Sequence, residues 1–246
     1  MNDWLASPRP DAKLRLFCLP YAGGGSVEFH GWRRQMPQAI DICPVLLPGR
    51  ERRLREPAIP HIEPLVETLA QALEPAIQQG PFALFGHSMG AWIAFELARQ
   101  LRRNGQDMPV QLFASARRAP HLPGQGQAWS KLPDDQFLNA IQDRYGSIPQ
   151  PLFDDPKLLA LFLPALRADF TLVDSYQHRE EPPLAVPIDA YRGEADAFVS
   201  PPECLAWQQH STSAFSLETF PGEHFFLRDS RELLVAAIAR RLDNHL

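Results

Sequence analysis

Apolar residues in this chain come in short blocks set apart by proline and glycine. Leu14 to Leu19 (LRLFCL) is stopped by Pro20 and the turn Tyr21-Ala22-Gly23-Gly24-Gly25, which predicts a buried strand and a loop. A second run, Ile40 to Leu47, ends at Pro48-Gly49. From Ile62 the apolar positions Leu65, Val66, Leu69, Leu73, Ala76 and Ile77 follow helical spacing, and Gly80-Pro81 breaks them off. Phe82 to Phe85 predicts another buried strand, and Ala91 to Arg103 a helix closed by Asn104-Gly105. Val110 to Ala114, Ile188 to Tyr191 and Phe215 to Phe220 complete the expected strands, before a helix over about Glu232 to Asn244.

Strands alternating with helices predict an α/β fold with a mostly parallel sheet covered on both faces. The stretch from about Pro120 to Pro183 breaks the rhythm. It holds helix-like pieces, Asp134 to Tyr145 and Pro156 to Gln177, with no clear strand, and Pro164 is expected to kink the second. So long an insertion between core strands predicts a helical lid on one domain spanning residues 1–246.

Composition narrows the function. The 246 residues carry 24 basic and 29 acidic side chains, a net charge of −5, which argues against a nucleic-acid partner. Cys18, Cys43 and Cys204 fit neither a metal spacing nor a disulfide framework. The opening MNDWLASPRP does not read as a signal peptide, and no run of eighteen apolar residues occurs, so a cytoplasmic monomer without membrane contact is expected. Lys13, Lys131 and Lys157 are the only lysines, leaving few candidates for Schiff-base chemistry.

Gly86-His87-Ser88-Met89-Gly90 fits the nucleophile elbow, in which a serine on a sharp strand-to-helix turn needs neighbours without a Cβ. The bare pattern arises by chance in roughly one chain of this length in ten, but the preceding strand and following helix are the context it requires. The serine needs a base. Of eight histidines, His224 follows the last expected strand, where this architecture presents one, whereas His87 is expected to pack inside the elbow. The orienting acid should lie between them: Asp196 satisfies the order, and Glu194 is its nearest rival, with Asp189 inside the presumed strand. Met89 and the loop 21–25 would supply the two oxyanion N–H donors. The three glycines there also suggest a phosphate loop, but no Walker lysine follows and the dinucleotide pattern is missing.

The assembled motifs resemble the type II thioesterases, free-standing α/β-hydrolases that serve nonribosomal peptide and polyketide synthases. Leu19-Pro20-Tyr21-Ala22-Gly23-Gly24, Leu47-Pro48-Gly49-Arg50, Phe85 through Ala91, Gly193 through Val199 with Trp207, and Gly222 through Leu227 carry the resemblance nearly end to end. It implies a Ser88, Asp196 and His224 triad, Ala22 and Met89 as oxyanion donors, and a lid over an acyl pocket. It further implies substrates on the phosphopantetheine arm of acyl or peptidyl carrier protein domains, with no metal or cofactor of the enzyme's own. Two positions depart from the family pattern: Ala197 stands for a proline after the acid, and Glu223 for a glycine before the histidine, placing a second carboxylate beside the base.

Two other readings share these residues: a general carboxylesterase or acyltransferase, and a catalytically silent carrier-binding module. The run Arg50-Glu51-Arg52-Arg53-Leu54-Arg55 reads chiefly as solvated surface, and alternatively as a docking patch for an acidic carrier protein.

Overall fold

The computed structural model describes residues 3–5, 9, 11–124, 128–146, 148 and 153–246. Six strands, β1 (Leu14–Leu19), β2 (Ile40–Pro44), β3 (Phe82–His87), β4 (Gln111–Ser115), β5 (Ile188–Gly193) and β6 (Phe215–Phe220), form one sheet in the order β2-β1-β3-β4-β5-β6. All neighbouring pairs are parallel. Strand order reverses between β1 and β3, so the crevice at their C-terminal ends is where such sheets place ligands.

Alternation within the strands feeds two cores. Phe17 and Leu19 of β1 face the helices α1 (Ile62–Ile77) and α2 (Met89–Arg103), while Leu14, Leu16 and Cys18 face the other side. There the 3₁₀ segment Ser26–Arg34 contributes Phe29 and Trp32, and the C-terminal helix contributes Leu234, Val235 and Ile238. Phe85, beneath the elbow, packs edge-on to Trp32 at 4.9 Å and Phe29 at 6.0 Å between ring centroids.

The insertion contains α3 (Asp134–Tyr145) and α4 (Pro156–Ser175), which share a third cluster built on Phe137, Leu138, Ile141, Leu166 and Phe170. Of the expected lid at about 120–183, residues 125–127, 147 and 149–152 lie outside the described residues. The remaining helices are α5 (Pro201–Leu205), α6 (Phe226–Asp229) and α7 (Arg231–Leu242).

Pro164 lies inside α4, which continues past it: only the main-chain bond to residue 160 is forfeited, while Ala165, Leu166 and Phe170 stay buried. Two expectations need correction. The second strand stops at Pro44, and Val45 instead makes an isolated antiparallel bridge to Leu5. The last helix gives way at Leu242 to the 3₁₀ turn Asp243–His245. The segment Ser26–Arg34 and the short helices α5 and α6 carry no periodic signal strong enough to predict them.

Phe85→Ala should cost about 3–5 kcal/mol of stability, as truncating a buried aromatic does; urea denaturation measures it.

Candidate active site

Ser88 joins β3 to α2 at φ 52° and ψ −114°, a left-handed backbone that few non-glycine residues adopt. A Cβ on Gly86 would come within 2.0 Å of the Gly90 carbonyl oxygen, and one on Gly90 within 2.2 Å of that of Leu19. Those two glycines are therefore steric requirements of the turn. His87 is fully buried behind it. Its Nε2 lies 2.9 Å from the His224 carbonyl oxygen and its Nδ1 2.9 Å from Ser115 Oγ. Burial, followed by the neighbouring His224, holds its pKa well below the usual histidine range. A neutral ring beside a carbonyl has one arrangement: Nε2–H donates to His224 and Nδ1 accepts from the Ser115 hydroxyl.

The structure brings the three expected side chains together. His224 Nε2 is 3.1 Å from Ser88 Oγ, and Nδ1 is 3.0 Å from Asp196 Oδ2. The other carboxylate oxygen, Oδ1, accepts from the Phe198 amide at 2.8 Å, so both oxygens of this buried acid are engaged. Nδ1–H therefore faces the carboxylate, leaving Nε2 to receive the serine proton. Glu194, on the same loop, is exposed, as is Glu223, so Asp196 is the carboxylate in hydrogen-bond contact with the imidazole. Asp189 stays in β5, where Gln111, Ser216 and Arg241 occupy it.

Ala22 borders the same small cavity as Ser88 and His224. Met89 is the first residue of α2, so its amide has no partner within the helix. The loop carrying Ala22 is clamped from two sides. On one, Tyr21 donates to Glu28 at 2.8 Å and receives a bond from Arg228. On the other, Asp169 of α4 accepts from the Gly23 amide at 2.7 Å and pairs bidentately with Arg50 at 2.7 and 2.8 Å, while Arg50 also donates to the Gly24 carbonyl at 2.9 Å. Pairing with Asp169 raises the Arg50 pKa, although burial acts against it.

This clamp was not foreseen, and it changes the reading of the arginine run. Arg53 is also buried, bonded to Glu56 and the Leu46 carbonyl and lying over Trp4, and Arg52 ties down the Asp3 and Leu5 carbonyls. Three of the run's four arginines thus hold the fold together, and they are not a free docking patch.

Beyond the triad a cavity of about 620 Å³ opens beneath the insertion. His121 and His178 line it, and His210 packs against both. His121 Nδ1 meets His210 Nε2 at 2.7 Å, and His178 Nδ1 accepts from Arg99 at 3.4 Å. Burial, then His178, His121 and Arg99, push the His210 pKa down to about 3.

Parallel strands that present a serine turn at their C-terminal edge, under a helical cover, are the architecture of the α/β-hydrolases. Within that class the chain belongs to the thioesterase domain family, whose model matches residues 14–245. It is 39% identical over 244 residues to the gramicidin S biosynthesis protein GrsT of Aneurinibacillus migulanus, covering 98% of this chain and 94% of that protein. It is 40% identical over 250 residues to a protein of Brevibacillus parabrevis named linear gramicidin dehydrogenase LgrE, covering 100% and 94%. Among solved structures, the type II thioesterase BorB of the borrelidin biosynthetic cluster superposes with a TM-score of 0.85 at 34% identity, over 98% of this chain and 96% of that one. No helix among the described residues is long and apolar enough to cross a membrane.

Asp169→Ala should cost about 3–5 kcal/mol, because it strands the Arg50 charge in a buried site; Asp169→Asn should cost less, and denaturant titration compares them. Acid should also reveal the histidine cluster. An unfolded histidine titrates near 6.5, so between there and about 3 the unfolded chain binds the extra proton and His210 opposes folding. Its contribution is intact above pH 6.5 and lost as pH falls, by up to about 1.4 kcal/mol per unit. His210→Gln should flatten that slope in melts recorded from pH 7.5 to 4.

Proposed function

We propose that this chain hydrolyses acyl or peptidyl thioesters presented on the phosphopantetheine arm of carrier protein domains, clearing misprimed or stalled groups from a peptide or polyketide assembly line. The observation that carries the reading is the hydrogen-bonded series Ser88–His224–Asp196 opening into a large cavity. Membership in the thioesterase domain family and likeness to GrsT and BorB support the thioester as the bond attacked.

His224 Nε2 takes the Ser88 proton as Oγ attacks the thioester carbonyl. The amides of Met89 and Ala22 hold the developing oxyanion. As the tetrahedral adduct collapses, the C–S bond breaks and His224 returns the proton to the departing sulfur. Water then attacks the acyl-serine with His224 again as base, releasing a carboxylic acid and restoring Ser88. The Asp196 carboxylate holds the imidazole in the tautomer this needs and stabilises its cationic form. Water is the only co-reactant the scheme uses.

A dehydrogenase, as LgrE is named, would need a bound acceptor for the hydride it removes, such as a dinucleotide. The glycine run of this sequence lacks the dinucleotide fingerprint, and its Gly23 amide is committed to Asp169. Those two observations favour hydrolysis.

Ser88→Ala and His224→Ala should each abolish most turnover of acyl-carrier thioesters with folding intact. Asp196→Asn should lower kcat by about 10⁴-fold, as loss of the correct tautomer does in serine hydrolases, while Glu194→Gln should stay within about twofold. Steady-state assays on acyl-carrier thioesters against p-nitrophenyl esters also separate a thioesterase from a general esterase, since only the latter prefers the oxygen ester.

A further inference from the structure

The loop after β4 places an arginine against the nucleophile in a way the proposed reaction does not use. Ala116 takes φ 51°, a left-handed backbone at a residue that has a Cβ. The two carbonyls that follow are both fixed by indoles: Trp207 Nε1 donates to the Arg117 carbonyl at 2.7 Å, and Trp92 Nε1 to the Arg118 carbonyl at 3.1 Å. The guanidinium of Arg117 then lies flat over Trp92, its carbon 3.4 Å from the ring centroid. Arg117 lines both the small cavity at Ser88 and the 620 Å³ cavity beyond, and so stands where one opens into the other.

What this cation lacks is a directly paired anion; Asp174 acts on it only across the cavity. Its Nε is buried without a hydrogen-bond partner, and among the described residues no carboxylate lies within ion-pair distance of it. None of the remaining residues is acidic. Asp174, in the same cavity, accepts from the Ser130 amide, and Glu180 is exposed. Burial, helped by the neighbouring Arg118, pulls the Arg117 pKa down to about 10, still charged at neutral pH. Stacking on an indole leaves the planar edge of a guanidinium free, and that edge matches a carboxylate with two parallel hydrogen bonds.

We infer that Arg117 anchors a carboxylate carried by the acyl group, so that the enzyme selects thioesters of dicarboxylic acids over neutral chains of equal length. The inference rests on the thioester-hydrolase reading and names the substrate class of that site. The phosphate of the pantetheine arm is the other anion a substrate brings, but it lies beyond both amides of the arm from the sulfur, whereas Arg117 borders the cavity of Ser88 itself. The carboxylate contacts no bond that changes; it holds the chain while Ser88 attacks. Arg117 is thus a specificity residue.

The test compares kcat/KM for N-acetylcysteamine half-thioesters of succinate, glutarate and adipate with that for butanoyl, pentanoyl and hexanoyl thioesters. The wild-type enzyme should favour at least one diacid over its neutral counterpart by about tenfold or more, the worth of one charge-assisted pair. Arg117→Met should remove that ratio whatever it does to absolute rates, and Arg117→Lys should restore part of it by keeping the charge without the fork. Free dicarboxylates should also inhibit the wild type more strongly than the matching monocarboxylates, a measurement that needs no variant to fold. A wild-type preference for neutral chains, or a ratio unmoved by Arg117→Met, overturns the inference while leaving the hydrolase intact. Failure to turn over any of the six thioesters overturns the hydrolase reading instead, and this inference falls with it.

Discussion

The backbone at Ser88 is the constraint around which the rest is arranged. A serine at positive φ is disfavoured by about 1–3 kcal/mol, and the turn persists because every neighbour is committed to it. The preceding strand is hydrogen-bonded on both sides, to β1 and β4, and the Ser88 amide itself donates to the Ser115 carbonyl at 2.8 Å. Behind the turn, His87 ties β3 to the backbone of His224 and to the side chain of Ser115. One buried neutral ring thereby sets the distance between the nucleophile and its base. Buried polar groups of this kind are costly unless fully satisfied, and here both ring nitrogens are.

The elements that reach the site were largely legible in the order of residues, because each has a strong local signature. Continuous apolar runs marked β1 and β3, the Gly86–Gly90 spacing marked the elbow, and chain order marked His224 and Asp196. Choosing Asp196 over Glu194 was beyond local reading. Both lie on one loop, and only packing shows that the first is buried and the second in solvent. The same gap hid the clamp of Arg50 on Asp169, two residues 119 positions apart whose partnership leaves no periodic trace. An arginine in a charged run reads as surface until a carboxylate from elsewhere is folded onto it. Arg117 leaves no mark in the sequence either: a guanidinium set over the Trp92 ring, on a backbone whose carbonyls accept from two tryptophan N–H groups, follows no motif.

Charge is distributed unevenly around the crevice. On the loop side, Asp169 and Arg228 neutralise or saturate their partners, and Tyr21 is fixed between Glu28 and Arg228. On the side of the 620 Å³ cavity, a guanidinium and the rings of His121 and His178 face the space where an acyl chain would lie. A wall of this kind differs from the smooth aliphatic tunnel that a plain fatty chain would favour. Its polar groups give it the means to discriminate among substituents along a chain as well as its length.

Asp169 belongs to the helix that roofs the cavity, yet its carboxylate bonds to the Gly23 amide, next to Ala22. Any outward swing of that helix as a rigid rod must tear this bond and the paired contacts to Arg50 together. The roof and the glycine loop are in that sense one mechanical part, so a wide-open mouth and a fully braced floor are mutually exclusive states of the molecule.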